Sequence, residues 1–255
     1  MMVYFRISDK GNPKEKIPNA GKRECLLNAI AEFGVECVYV IADNCEPATV
    51  DFIRAQGLPY EETALGNAAS FMYSVNLILK RHSLSETVYL LEDDYLHLPG
   101  SKVLLNEGLE IADYVTLYDH PDKYVLENEG GNPFNHQVLN TTRLYVTRHS
   151  HWRDTDSTTM TFACKVVTLS EDFPIWQKNA QSGNPDDFHS FMEITQNKFS
   201  HALSFLFRRK KQEFSIIILN WARRKKVKRL ISAIPSRATH AEVKSLAPVL
   251  DWYKI

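Results

Sequence analysis

Three consecutive acids, Glu92-Asp93-Asp94, follow the apolar run Tyr89-Leu-Leu and precede Tyr95. Like charges so close repel one another unless a cation is present. An all-oxygen set suits a hard divalent ion that keeps open positions for the phosphates of a substrate. The plain alternative is a solvated acidic turn after a strand. A second acidic pair stands in Gly183-Asn-Pro185-Asp186-Asp187-Phe188-His189. Pro185 can start a helix there, and both acids then sit where the helix dipole keeps them ionised. They can serve as a base, or they can serve that dipole alone. Asp156, in His151-Trp-Arg-Asp-Thr-Asp156, is a further carboxylate just ahead of a strand-like run. Histidine is a borderline ligand for such an ion, and His240 stands in a tail segment, Ser236-Arg-Ala-Thr-His240-Ala-Glu242. A lone histidine is more often structural.

These residues need a scaffold, and the first half of the chain predicts one. Val3–Ile7, Val38–Ala42, Thr87–Leu91 and Tyr114–Tyr118 read as strands, with helical periodicity between them. Leu26, Leu27, Ile30 and Phe33 share one helical face before Gly34, and Pro47 starts the next helix. Leu65-Gly66-Asn67 opens a helix with Ala68, Phe71, Met72, Val75 and Leu79 inward, and a further helix spans about Lys102–Ile111. Strands separated by helices predict a parallel sheet with helices on both faces, and ligands collect at the carboxyl ends of its strands. The second half is less regular. Residues 119–137 read as a long loop, Leu144–Thr147 and Thr158–Ala163 as a pair of strands, and Leu169–Lys178 and Asp186–Gln196 as helices.

The strand-EDD segment, preceded by Ala64-Leu-Gly66-Asn67-Ala-Ala-Ser70 and by the strand-end pair Asp43-Asn44, resembles the GT-A glycosyltransferases. The resemblance covers about residues 3–197 and 233–252, and it rests on the order and spacing of short motifs. It implies an α/β fold: a single GT-A (Rossmann-like) domain with a mostly parallel central sheet flanked by helices and a basic helical C-terminal insertion. Within it, 1–118 is the nucleotide-binding half, 119–197 the acceptor and catalytic half, 198–232 the basic helical segment and 233–255 the closing tail. The triplet corresponds to the family's Asp-x-Asp motif with Glu at its first place. Asp94 is then the ligand of Mn²⁺ or Mg²⁺, Asp93 contacts the metal through water, and Glu92 faces the donor ribose or sugar. Arg6 and Ser8 contact base and phosphate, Asp43 and Asn44 the base or ribose, and Gly66 and Asn67 the phosphates through a helix N-terminus. Each has a plain reading beside this one, as a surface side chain, a turn or a cap. The base on the acceptor hydroxyl corresponds to Asp187, with Asp186 second and Asp156 a rival. His240 completes the metal site. His151, Trp152 and Arg153, with His149 nearby, line an acceptor pocket. The implied activity is metal-dependent, inverting transfer of a sugar from a nucleotide diphosphate, a UDP-sugar favoured, to a saccharide acceptor, lipid-linked in one version.

The formal net charge of the 255 residues is −1, which conceals a strong asymmetry. Arg208–Arg229 holds ten basic residues and one acid, Glu213, a local +9 that leaves −10 for the other 233 residues. Two basic clusters flank Phe214-Ser-Ile-Ile-Ile-Leu-Asn-Trp221, a composition that suits an anionic membrane surface. An acidic glycan is the competing partner, a solvated basic hairpin the plain alternative, and nucleic acid is not expected. Four cysteines without a CxxC pair fit a reducing compartment. No apolar leader segment stands at the N-terminus, and the longest apolar run is too short to cross a bilayer, so a cytoplasmic protein, at most peripheral to a membrane, is expected. Two other classes stay open. A sugar nucleotidyltransferase would show a glycine-rich basic loop after its first strand, which Lys10-Gly-Asn-Pro-Lys14-Glu-Lys16 imitates poorly. A non-catalytic saccharide- or membrane-binding module would show no transfer at all.

Overall fold

Runs of β-branched and aromatic residues that are apolar at nearly every position, such as Val3-Tyr-Phe-Arg-Ile7 and Thr87-Val-Tyr-Leu-Leu91, can be satisfied only in strands covered on both faces. The computed structural model, which describes residues 1–11, 14–137, 139 and 141–254, places them so. The first half runs β1 (Met2–Ser8), α1 (Lys22–Phe33), β2 (Val38–Asp43), α2 (Pro47–Ala55), β3 (Tyr60–Thr63), α3 (Asn67–Arg81), β4 (Thr87–Glu92), β5 (Tyr95–His97), α4 (Ser101–Ile111) and β6 (Tyr114–Thr116). The second runs β7 (Leu144–Val146), β8 (His151–Asp154), β9 (Phe162–Lys165), α5 (Val166–Glu171), α6 (Phe173–Asn179), α7 (Asp187–Thr195), α8 (Phe199–Phe207), α9 (Lys211–Ala222), β10 (Leu230–Ile234) and β11 (Ala238–His240).

One sheet takes the order β3-β2-β1-β4-β9-β6-β10-β8-β7, and β5 and β11 form a small second one. Strands β3, β2, β1 and β4 are mutually parallel, and β10 is parallel to β6. Only β9 and β8 run against the rest, so the sheet is mostly parallel in direction. This is an α/β architecture with a mostly parallel central sheet flanked by helices, as expected, with the basic α8–α9 hairpin inserted before β10. Alternate residues of β1 and β4 feed two cores, as the two-residue period of a strand requires. Val3, Phe5, Tyr89 and Leu91 join the layer of α1 and α4, whereas Tyr4, Val88 and Leu90 join that of α3, α6 and α7. Register sets Ser8 beside Asp43 and Arg6 beside Glu92, so the polar ends of three parallel strands share one edge.

Several expectations need correction. The inward face of α1 is Cys25, Leu26, Ala29 and Phe33, while Leu27 is exposed. Helix α3 buries Ser70, Ser74 and Ile78 with Ala68, Phe71 and Val75, leaving Met72 and Leu79 at its margin. Strands β7 and β9 do not pair with each other. β7 adds to β8 at the sheet's end, and β9 inserts between β4 and β6. The helix expected over 169–178 is two, because Asp172 and Pro174 break it. Asp172 is used there as a buried acceptor for the Tyr114 hydroxyl at 2.8 Å and for Lys228 at 3.0 Å. The segment 198–232 does not stand wholly apart from the body, since β10 is an interior strand of the main sheet. The loop 119–137 is tied down by Asn132 and Asn135, both buried.

The second core is organised around Trp176, stacked on Phe162 at 5.1 Å and 13° and edge-on to Phe71, Tyr114 and Phe191. Trp176→Ala should cost about 3–5 kcal/mol, read as a lower denaturation midpoint at unchanged slope.

Candidate active site

Three carboxylates at the end of β4 need three different means of compensation, and the structure supplies them at a cleft of about 850 Å³ along the carboxyl edge of the sheet. Glu92 accepts from the Arg6 guanidinium at 2.6 Å. Arg6 also bonds the Asn67 carbonyl and side chain and the Ser70 hydroxyl, at 2.9, 3.0 and 3.2 Å, which fixes it under the N-terminus of α3. Asp93 accepts the Ser8 backbone N–H at 2.9 Å. Asp94 Oδ2 lies 3.2 Å from His240 Nε2. Burial nevertheless holds Glu92 above the usual carboxylate range despite Arg6, and burial together with the Asp94 charge pushes Asp93 up to about 6. For Asp94 burial acts in the same direction, but the His240 hydrogen bond and charge, with Lys16 and Lys14, outweigh it and hold the group below its ordinary value.

Asp94 Oδ1 is buried without a hydrogen-bond partner, an arrangement that fits a cation at that oxygen. Among the described residues, no three His, Cys, Asp or Glu side chains converge as a ligand set. A hard divalent ion held here would therefore take most of its shell from phosphates and water. His240 departs from the expected role. Its Nδ1 accepts the Glu242 N–H at 3.1 Å, so in the neutral ring Nε2 carries the proton and donates to Asp94. Ligation through Nε2 would require that bond to Glu242 to be given up. In this network His240 orients Asp94.

The nucleotide-side expectations also change in detail. Asp43 is nearly inaccessible, and its two oxygens take the Leu65 N–H (2.7 Å), the Thr63 hydroxyl (2.8 Å), the Gly66 N–H (2.9 Å) and the Asn44 amide (2.9 Å). It is the anchor of the loop into α3 and has no oxygen left over for a base or ribose. The N-terminus of α3 is likewise partly spoken for, because the Gly66 N–H goes to Asp43 and the Ala68 N–H to the Gly183 carbonyl at 3.3 Å. Gly66 itself is required by its backbone, at φ 85°. Arg6 is committed to Glu92 and Asn67, which leaves contact with base and phosphate to other groups. Arg6, Ser8, Asp43, Asn44, Gly66 and Asn67 nonetheless all line the cleft.

Sequence pattern, in which Lys10–Lys16 reads as a poor imitation of a phosphate-binding loop, understates the cationic wall of the cleft. Lys10, Lys14, Lys16 and Lys22 all line it, in and just after the loop that follows β1, whose Asn12 and Pro13 lie outside the described residues. The loop is held by the tail: Ile17 donates to Ala241 O (3.0 Å), Val243 to Glu15 O (2.9 Å), and Ala241 in turn to Asp94 O (2.7 Å). Lys14 bonds Glu242 at 3.2 Å. Lysines spaced along a loop carry no periodic signal; the return of the tail holds the Lys14–Lys16 segment at the cleft, while Lys22 is tied to the Ser8 carbonyl at 2.9 Å and pairs with Asp9.

Asp186 and Asp187 separate into two roles. Asp186 caps α7, accepting the His189 N–H at 3.0 Å and approaching its Nδ1 at 2.7 Å. Asp187, one residue on, lines the cleft with the triplet. Burial and the nearby Glu92 charge push its carboxyl up to about 6. Asp156 is not at the cleft. It is buried in an ion pair with Lys123 and lines a separate cavity of about 420 Å³. The acceptor residues do not gather at the cleft either, since β8 lies toward the far end of the sheet. His151 is exposed. Trp152 is fully buried with its indole on Thr147, because this strand turns alternate residues into the core. Arg153 is buried over the Tyr124 ring at 5.3 Å, and His149 pairs with Glu107.

No family model and no curated protein sequence matches the chain. Solved structures similar to it include mannose-1-phosphate geranyltransferase from Thermus thermophilus, at 14% identity and TM-score 0.44 over 91% of this chain and 74% of that one. Residues 1–349 of S. aureus TarS align at 14% identity and TM-score 0.41, over 89% and 73%. A CMP:2-keto-3-deoxy-manno-octonic acid synthetase complexed with CTP aligns at 13% and TM-score 0.42, over 68% and 77%.

Asp43 generates a prediction about stability. Burial opposes its ionisation, but the Leu65, Thr63, Asn44 and Gly66 donors prevail and hold its carboxyl below 3.8. A depressed acid contributes stability above its unfolded value and loses it as pH falls through the folded one. Asp43→Asn should cost about 2–4 kcal/mol at neutral pH, and the gap to the parent protein should shrink below pH 3.8 in denaturant titrations.

Proposed function

We propose that this cleft transfers a sugar from a nucleotide diphosphate to a saccharide acceptor, with inversion and with a divalent ion at Asp94. The observation that carries the reading is Asp187, which stands at the start of α7 in the same cleft as Glu92, Asp93 and Asp94. A carboxylate whose pKa is about 6 is mostly ionised at neutral pH, yet basic enough to take a proton from a hydroxyl as it attacks. Lys14, Lys16 and Lys22 supply positive charge for a diphosphate, and Arg6 keeps Glu92 in place beside it. A bound Mn²⁺ or Mg²⁺ would add neutralisation of the departing diphosphate. His240 holds Asp94 in one orientation, and Asp43 holds the loop that leads into α3. A UDP-sugar is the first donor to try.

A second reading, nucleotidyl transfer from a nucleoside triphosphate to a sugar phosphate, draws support from the four lysines that line the cleft, a richer cationic loop than its sequence suggests. Product analysis separates the two. Nucleoside diphosphate released from a nucleotide sugar supports the first, and pyrophosphate released from a triphosphate the second. No response of melting temperature to UDP, GDP, CDP or dTDP, with or without Mn²⁺, would count against both and favour a non-catalytic binding module.

Asp94→Ala should lower turnover by at least about 100-fold and remove the joint stabilisation by nucleotide and Mn²⁺. Asp187→Asn should lower turnover by about 100-fold or more while nucleotide binding is retained. In the parent enzyme the base form is lost as pH falls through about 6, so turnover should decline on the acid side of that value. An acid limb unchanged in residual Asp187→Asn activity would reassign the base.

A further inference from the structure

Helix α8, Phe-Ser-His-Ala-Leu-Ser-Phe-Leu-Phe, carries no acid, lysine or arginine, and its apolar side chains cover all but the strip of Ser200, His201 and Ser204. An apolar arc wider than the stripe of an ordinary surface helix needs more cover than one neighbouring face supplies. One face of α8 is buried: Ala202 and Phe205 pack with Met192 of α7 and Ile217 of α9. The other is not. Phe199, Leu203, Leu206 and Phe207 fall at the i, i+4, i+7 and i+8 spacing of a single face, and Phe207 is 82% exposed. Leu219 and Trp221 of α9 extend the patch, with Trp221 against Phe199 at 4.9 Å between ring centroids.

The charge around this patch is of one sign. Of the basic residues in 208–229, some serve the fold: Arg208 and Lys210 bind Glu127, Lys225 donates to Glu193 O, and Lys228 meets Asp172. Lys198, Arg209, Lys211, Arg223, Arg224 and Lys226 are exposed, and among the described residues none has an ion-pair partner. Between 198 and 229 there is one acid, Glu213, and it is turned toward His189 at 3.9 Å.

We infer that the outer face of the α8–α9 hairpin is a docking surface for a bilayer containing anionic lipid. Exposed Phe, Leu and Trp side chains enter the headgroup and acyl boundary while the unpaired cations meet the anionic headgroups. A second copy of the chain is a poor occupant, because a self-paired face would bring these six cations against another six. Nucleic acid would satisfy the cations but leaves Leu206, Phe207 and Leu219 without apolar cover. α9 packs on α7, the helix that opens with Asp187, so docking sets the cleft's own helix directly behind the lipid-facing hairpin.

Vesicle co-sedimentation of the full chain tests this, with phosphatidylcholine vesicles compared against the same vesicles carrying about one-third phosphatidylglycerol. Binding should appear only with the anionic lipid and weaken with salt. Arg209→Glu/Lys211→Glu/Arg223→Glu/Arg224→Glu should weaken it at least about 100-fold. Leu206→Ser/Phe207→Ser should weaken it at least about tenfold, with an unchanged circular-dichroism melt showing that the body stays folded. Asp94→Ala should bind vesicles like the parent, which keeps this result separate from the proposed activity. No binding to anionic vesicles overturns the inference. So does binding that ignores Leu206→Ser/Phe207→Ser, or poly(U) binding at least as tight as vesicle binding and equally indifferent to that pair.

Discussion

Three adjacent carboxylates at the end of a buried strand are unfavourable in isolation, and much of the surrounding structure answers that one electrostatic cost. Two of the acids are met from β1, Glu92 by the Arg6 guanidinium and Asp93 by the Ser8 N–H, and Asp94 is met by His240 from β11 at the far end of the sequence. Compensation is incomplete, since Glu92 and Asp93 are still held above their ordinary values. Carboxylates held above their ordinary values in a cleft are a pattern that clusters at functional sites. Asp187 stands in the same field, and Glu92 is among the causes of its raised pKa.

The answering elements are themselves secured by ordinary contacts. Arg6 can face Glu92 because Asn67 and Ser70 hold its other nitrogen, and Asn67 is placed by a loop folded around Asp43. His240 reaches Asp94 because β11 pairs with β5 and because Ala241 donates to the Asp94 carbonyl. The same tail carries the lysine loop. A single chain return thus sets the orientation of Asp94 and holds part of the cationic wall of the same cleft. Removal of either half would leave the other charge uncompensated in a poorly solvated place.

The basic stretch illustrates how one compositional signal can serve two ends. Its C-terminal part is structural, because Lys225 and Lys228 bond into α7 and the α5–α6 junction before the chain enters the sheet as β10. The exposed cations that have no ion-pair partner among the described residues stand at the ends of α8 and α9. Charge counting along the chain cannot separate the two sets, since a lysine that meets a buried aspartate and one that meets water look alike in sequence.

Local pattern by itself determined the βαβ alternation of the first half, the location of the triplet at a strand end, and the helix that begins at Asp186-Asp187, because apolar periodicity and strand-end polarity are properties of neighbouring residues. Short strands were beyond its reach: β3 is Tyr-Glu-Glu-Thr, β8 is His-Trp-Arg-Asp, and β10 takes its place only between β6 and β8, far from it in sequence. The pairing of β9 with β4 and β6 is decided over more than 45 residues of separation, where periodicity is silent. Of the residues that line the cleft, Glu92, Asp93, Asp94, Asp187 and His240 were singled out from strand-end acids, a helix start and a motif resemblance, without the partner each would take. Tertiary structure decided that Asp43 is consumed by its loop, that Trp152 is core and Asp156 a buried ion pair, and that four lysines face the acids. The physical reason is the same in each case. A side chain's chemistry is fixed by its type, but its availability depends on which donors and charges the fold brings within hydrogen-bonding distance.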